Sequence, residues 1–188
     1  MAFRAFLAVE TGKGFRSEQI LDELGKSGAD IKLVEPQNLH ITIKFLGDTG
    51  EDSVEAIGRV MEDSVLGIAP FDVVFAGLGA FPSPMAARVV WVGLRGAEPL
   101  AEISRRLEDG LSGLGFPRDP RGFSPHITLG RVRTPGRWGS LPSIIQARAG
   151  ADFGSTLVCG LLLKKSVLGP RGPTYSTVLE AVLKGPAH

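Results

Sequence analysis

At 188 residues the chain is long enough to bury a sizeable core and short enough for one domain. Its 43% hydrophobic and 22% charged residues exclude a disordered chain, so the 25 glycines and 13 prolines signal tight turns. A net charge of +1 argues against long duplex nucleic acid as a partner, because that binding normally shows as a strong basic excess. The single cysteine, Cys159, excludes an internal disulfide and any multi-cysteine metal site; within "STLVCGLLLKK" it reads as a packed strand residue.

The first element is a short β-prone run, "FRAFLAVE", too polar at both ends for a signal peptide. "SEQILDELGKSG" follows as a helix, with Ser17 at the N-cap, Ile20, Leu21 and Leu24 on one face, and Gly25 or Gly28 as the stop. Its "GKS" is no phosphate loop, since Ile20 stands where that motif needs glycine and the run ends a helix. "IKLVEP" and "LHITIKFLG" are strands. "DTGEDSVEAIGRVMEDSVLG" is helical, with Val54, Ile57, Val60, Met61 and Val65 aligned. Two strands, "FDVVFAGLGAF" and "ARVVWVGL", flank the turn "PSPM"; their apolar region is broken by Asp72, Arg88 and several Gly and Pro, which excludes a membrane span. A helix over "EPLAEISRRLEDGLSGLG" buries Leu100, Ile103, Leu107, Leu111 and Leu114. Then come the strand "PHITLGRV", a helix near "LPSIIQAR", and the strands "STLVCGLLLKKSV" and "TYSTVLEAVLK". Helices and strands mix without strict alternation, so the class is α+β.

Two of the three histidines open the same tripeptide, His-Ile-Thr, at His40 and at His126. The third, His188, ends the chain and receives no role. On a strand, alternation puts His40 with Thr42 on one face and Ile41 with Ile43 on the other; His126 and Thr128 repeat this over Ile127 and Leu129. Each strand thus offers an imidazole and a hydroxyl, backed by aliphatic anchors. Imidazole titrates near neutrality, so one ring can take a proton while the other gives one. The hydroxyls can hold the oxygens of a phosphoryl group as charge shifts between them. This scheme requires no metal, and two histidines without an acidic or thiol partner pattern make a poor zinc site. Six arginines (118, 121, 131, 133, 137 and 148) face one acid, Asp119, between Gly115 and Arg148, which suits an anionic substrate or an RNA end.

"PQNLHITIKFLGD" and "GFSPHITLGRV" resemble the paired motifs of the two-histidine phosphoesterases, and more closely the RNA 2′,3′-cyclic phosphodiesterases, also called 2′-5′ RNA ligases. "FRAFLAVE", "FPSPMAARVVWVGL" and "GPTYSTVLEAVL" resemble that family's opening strand, middle block and closing strand, so the likeness spans nearly the whole chain. It implies one bilobal domain over residues 1–188: two similar lobes, each an antiparallel sheet with helices outside, meeting at a central cleft. It also implies metal-independent opening of an RNA 2′,3′-cyclic phosphate to a 2′-phosphomonoester, without a cofactor. His40 would protonate the departing O3′ and His126 would activate water, while Thr42 and Thr128 hold the phosphate oxygens. Arg131 matches a position that is often arginine in the family. Alternation sets it opposite His126, so a twist or bulge near Gly130 is needed to bring it to the phosphate.

Lys44 shares the His40 face by alternation, where it reads as a surface lysine or a substrate contact. Phe45 and Phe123 read as core, with base stacking as the other option. The expected partners are RNA ends bearing 2′,3′-cyclic phosphate, tRNA fragments among them, met by a cytoplasmic monomer. Two other readings stay open: a non-catalytic RNA-end or nucleotide-binding module, and a phosphodiesterase for another cyclic phosphate such as ADP-ribose 1″,2″-cyclic phosphate.

Overall fold

Alternating strands with one aliphatic face need a partner layer, and here a curled antiparallel sheet supplies both faces. The computed structural model describes residues 2–170 and 172–186, so His188 lies outside the described residues. The strands are β1 (Ala2–Glu10), β2 (Ile31–Leu33), β3 (His40–Gly50), β4 (Phe71–Phe81), β5 (Val89–Arg95), β6 (His126–Val132), β7 (Asp152–Val158), β8 (Gly160–Gly169) and β9 (Gly172–Val182). The helices are α1 (Glu18–Gly25), α2 (Val54–Val65), α3 (Glu98–Gly113) and α4 (Leu141–Ala147). The class is α+β, as expected.

The hydrogen-bonded order is β7-β4-β5-β6-β3-β1-β8-β9, with β2 pairing the later half of β6 on the edge that β3 pairs at its start. The two lobes meet where β6 touches β3, through the antiparallel pair Ile41 and Ile127, both wholly buried. Each helix that precedes a His-Ile-Thr strand packs on the other lobe: α1 against β2 and α4, α3 against α2 and β3. The chain therefore leaves for the other lobe to form the helix and returns to complete each motif strand, and the crossings tie the two strands together. The helix faces expected from periodicity are the buried ones, with Ile20, Leu21 and Leu24 in α1 and Leu100, Ile103, Leu107 and Leu111 in α3.

Four expectations change. The helix expected from Asp48 begins at Val54, because β3 runs on to Gly50. Leu114 falls beyond the end of α3 and is exposed. Ser17 stands at the N-cap of α1, but its hydroxyl makes no cap hydrogen bond. Cys159 is exposed rather than packed, because "STLVCGLLLKKSV" is two strands that break at that residue. Val158 and Gly160 are two Cα steps apart, about 7 Å at most, yet five strands separate β7 from β8 in the sheet order. A one-residue link between strands so distant in the sheet is possible only if the sheet curls back on itself.

Candidate active site

The pairing of Ile41 with Ile127 sets the geometry of the site. Carried one residue either way, the antiparallel register puts His40 across from Thr128 and Thr42 across from His126. All four are partly buried, on the face away from the two isoleucines. Facing residues in such a ladder have Cβ atoms roughly 4.5–5.5 Å apart and diagonal ones about 7–8 Å, so each imidazole stands beside the other motif's hydroxyl and the two rings are diagonal neighbours. A cavity of about 420 Å³ opens here, with His40, Thr42, Thr128 and Arg131 in its wall. His126 is not among the residues lining it; the register places it across from Thr42.

Both rings are oriented in the same way. Nδ1 of His40 lies 2.7 Å from the Asn38 carbonyl oxygen, and Nδ1 of His126 lies 2.7 Å from that of Ser124. A carbonyl only accepts, so each Nδ1 carries the hydrogen and donates it, leaving Nε2 free for proton transfer. Aromatic side chains wall each ring. Phe6 and Tyr175 stand 4.9 and 5.4 Å from His40, centroid to centroid; Phe81 and Trp91 stand 5.4 and 6.3 Å from His126. Trp91 can lie there only because Gly79 faces it, for a Cβ on Gly79 would come within 2.3 Å of the indole. Burial pushes the His40 imidazole below its ordinary value; the Asn38 carbonyl opposes this, and the Lys164 charge adds to it. Lys164 is itself paired with Glu10 at 2.7 Å, and Glu10 is the ladder partner of His40 on β1.

Beyond the threonines both strands break step. Ile43 has no partner between the pairs Leu7–Lys44 and Ala8–Thr42, and Leu129 none between Val90–Gly130 and Trp91–Thr128. Each is the extra residue of a β-bulge, which reverses the alternation after it. The bulge required for Arg131 is thus present, one residue before Gly130, and Arg131 lies exposed in the cavity wall. Gly130 itself turns inward, where a Cβ would meet Ile31 and the Lys32 carbonyl at 3.0 Å.

The same device overturns two readings made from strict alternation. Lys44 is neither a surface residue nor a substrate contact. Its side chain is 4% exposed, ion-paired with Glu108 at 2.7 Å and donating to the Pro117 carbonyl at 2.8 Å. Phe45 is not core: it is 68% exposed and lines the cavity. Phe123 packs partly buried against the core, as expected.

Of the six arginines near the second motif, Arg118, Arg121 and Arg148 are neutralised by Asp109, Asp119 and Glu23. None of the residues lining the cavity is acidic, and Arg4 of β1 joins Arg131 among them. Neither guanidinium has a hydrogen bond or ion pair within the described residues. Sequence reasoning missed Arg4, Phe6, Phe81, Trp91 and Tyr175; "FRAF" at the start of β1 carried two of them at strand spacing. A larger cavity of about 750 Å³ lies elsewhere, around the start of α1; of its three basic residues, Arg16 and Arg148 are engaged by Asp152 and Glu23, and Lys13 is the third. Among the described residues, no three His, Cys, Asp or Glu side chains gather as metal ligands, and no helix is long and apolar enough to cross a membrane.

Residues 18–151 match the model of the 2′-5′ RNA ligase superfamily. A Methanothermobacter thermautotrophicus protein named RNA 2′,3′-cyclic phosphodiesterase is 39% identical over 178 residues, covering 94% of this chain and 96% of that one. The Archaeoglobus fulgidus protein of the same name is 38% identical over 175 residues, covering 92% and 96%. Among solved structures, TT0787 of Thermus thermophilus is similar with a TM-score of 0.73 at 28% identity, covering 97% of this chain and 98% of that one. E. coli LigT, complexed with 3′-AMP, has a TM-score of 0.76 at 22% identity over 98% and 99%, a likeness of fold.

Proposed function

The chain belongs to the 2′-5′ RNA ligase superfamily, and on that premise we propose that it opens the 2′,3′-cyclic phosphate at an RNA end to a 2′-phosphomonoester. Relatives at 38–39% identity over more than nine tenths of the chain carry the name of that enzyme. One observation carries the mechanism: two Nε2 atoms with fixed tautomers stand on adjacent strands, each beside a threonine hydroxyl.

The phosphorus sits between the rings, with the Thr42 and Thr128 hydroxyls donating to its non-bridging oxygens and Arg131 adding positive charge. Nε2 of His126 takes a proton from water as its oxygen bonds to phosphorus. The P–O3′ bond breaks, and Nε2–H of His40 protonates O3′. The product carries the phosphate on O2′ and a free 3′-hydroxyl. His40 needs a proton to act in this way, and its surroundings favour the neutral ring. A bound phosphate anion reverses that preference, so the proton is taken up together with the substrate. With a ribose 5′-hydroxyl in place of water, the reversible chemistry forms a 2′-5′ linkage.

We assign this activity to residues 1–188 acting as one bilobal unit, a cytoplasmic monomer, with tRNA fragments among its substrates. The test is incubation with EDTA and an RNA ending in 2′,3′-cyclic phosphate. The expected product is a 2′-phosphate; a 3′-phosphate, or no opening, overturns the reading. Binding without turnover would favour the RNA-end binding module, and opening only of other cyclic phosphates would favour the third reading.

A further inference from the structure

Arg4 is too far along the cleft to serve the phosphorus between the imidazoles. Strand β1 runs antiparallel to β3, with Glu10 across from His40, Ala8 across from Thr42, Phe6 across from Phe45 and Arg4 across from Asp48. Arg4 is four residues from the level of Thr42, roughly 13 Å at about 3.3 Å per residue. Arg131 lies the other way, because β6 runs antiparallel to β3 and carries it past Thr128 toward the start of β3. The two arginines therefore stand at opposite ends of one acid-free cavity, with the His-Thr quartet between them.

The Arg4 end has its own furniture. Ser166 of β8 is the ladder partner of Arg4 and lines the same cavity, and its hydroxyl makes no hydrogen bond within the described residues. The Arg4 guanidinium is equally unengaged; Asp48, its partner on β3, forms no ion pair with it. Phe45 lies between this end and the quartet, its ring 6.2 Å from that of Phe6 and open to solvent. An exposed apolar ring between a phosphate-handling quartet and a free guanidinium offers, in order along the cleft, contacts for a phosphate, a base and a second phosphate.

We infer that Arg4 and Ser166 form a second phosphate subsite, which holds a phosphodiester 5′ to the terminal nucleotide, while Phe45 stacks on the terminal base. The substrate class is then an oligonucleotide end rather than a free cyclic mononucleotide. This rests on the reading above, in which the quartet holds the cyclic phosphate.

The test compares a nucleoside 2′,3′-cyclic phosphate with a free 5′-hydroxyl against a trinucleotide ending in the same group. The wild-type protein should have the higher kcat/KM on the trinucleotide. Arg4→Gln should lower that value about 10-fold, as expected for losing a charge-assisted hydrogen bond, with a much smaller loss on the mononucleotide. Arg4→Lys should recover part of it, and neutral methylphosphonate linkages should make the trinucleotide insensitive to Arg4→Gln. Equal losses on both substrates, or sensitivity that survives the neutral linkages, overturn the subsite. The mononucleotide rate checks the fold of each variant. If the wild-type protein opens neither substrate, the hydrolytic reading itself falls; if it opens both and Arg4→Gln does not discriminate, only the subsite does.

Discussion

Strands β3 and β6 carry the same motif and then diverge. Both read His-Ile-Thr, both place an aliphatic bulge residue next (Ile43 and Leu129), and both turn the following residue inward and the one after it into the cleft. The inward residue is Lys44 in one strand and Gly130 in the other; the cleft residue is Phe45 in one and Arg131 in the other. A shared backbone irregularity thus follows a shared His-Thr pair, while the positions beyond it are free to differ. Gly130 empties its site so that β2 can approach, whereas Lys44 fills its site with a buried charge anchored on α3 and on the segment leading to β6. Phe45 offers a stacking surface and Arg131 a charge, which gives the two ends of the cavity different chemistry.

The shared part should show the largest effects. His40→Ala and His126→Ala should each lower turnover of a 2′,3′-cyclic phosphate by about 10²–10⁴ while leaving the circular dichroism spectrum unchanged. Near-normal turnover by either variant breaks the equivalence of the strands. Thr42→Val and Thr128→Val come next, with losses approaching the roughly 10²-fold of a lost oxyanion donor, expressed in kcat.

The divergent part should separate stability from binding. Lys44→Met strands the Glu108 carboxylate, whose Oε2 is already buried without a partner; breaking such a pair typically costs about 3–5 kcal/mol. Urea denaturation should show that loss, and Lys44→Met combined with Glu108→Leu should recover much of it. Phe45→Ala, at an exposed position, should leave the unfolding free energy from urea within about 0.5 kcal/mol of wild type and raise KM instead. Arg131→Ala should also raise KM, by about 10-fold. A destabilised Phe45 variant or a stable Lys44 variant would reverse the assignment of the two side chains.

The juxtaposition of the His-Thr quartet was legible because it rests on local rules, a repeated tripeptide and strand alternation. The bulges were not legible from the motif strands themselves, since an unpaired Ile43 or Leu129 exists only relative to the register of β1 or β5, strands distant in sequence. Lys44 and Phe45 were misread for that reason alone. The one bulge expected, near Gly130, came from the position that the resemblance gave Arg131, and it does bring that residue into the cavity wall. The aromatic walls come from β1, β4, β5 and β9, and no periodicity within the motif strands announces them. Cys159 was misread because an uninterrupted apolar run hides a change of lobe.

The smallest effect is protonic and tests whether His40 takes up its proton with the substrate. Facing its ring are Glu10 on β1, Lys164 on β8, Tyr175 on β9 and Thr128 on β6. Burial foremost, with help from Lys164, holds the imidazole below 6.5 in the free protein. Folding therefore disfavours its proton, and this site costs stability as pH falls through 6.5. Binding an anion has the opposite sign. The bound ring keeps its proton to higher pH than the free ring, so affinity should fall as pH rises between the two values, starting below 6.5 and by at most tenfold per pH unit. A 2′-deoxy dinucleotide suits the measurement, because its phosphodiester does not titrate in this range and cannot form a cyclic phosphate. Calorimetry in two buffers of different ionisation enthalpy should report proton uptake near neutrality. Lys164→Met should move the pH of greatest uptake upward, because the free and the bound ring both lose a repelling charge. Uptake that is absent in wild type, or unmoved in pH in the variant, would mean that His40 does not acquire its proton from the coupling between burial, Lys164 and the bound anion.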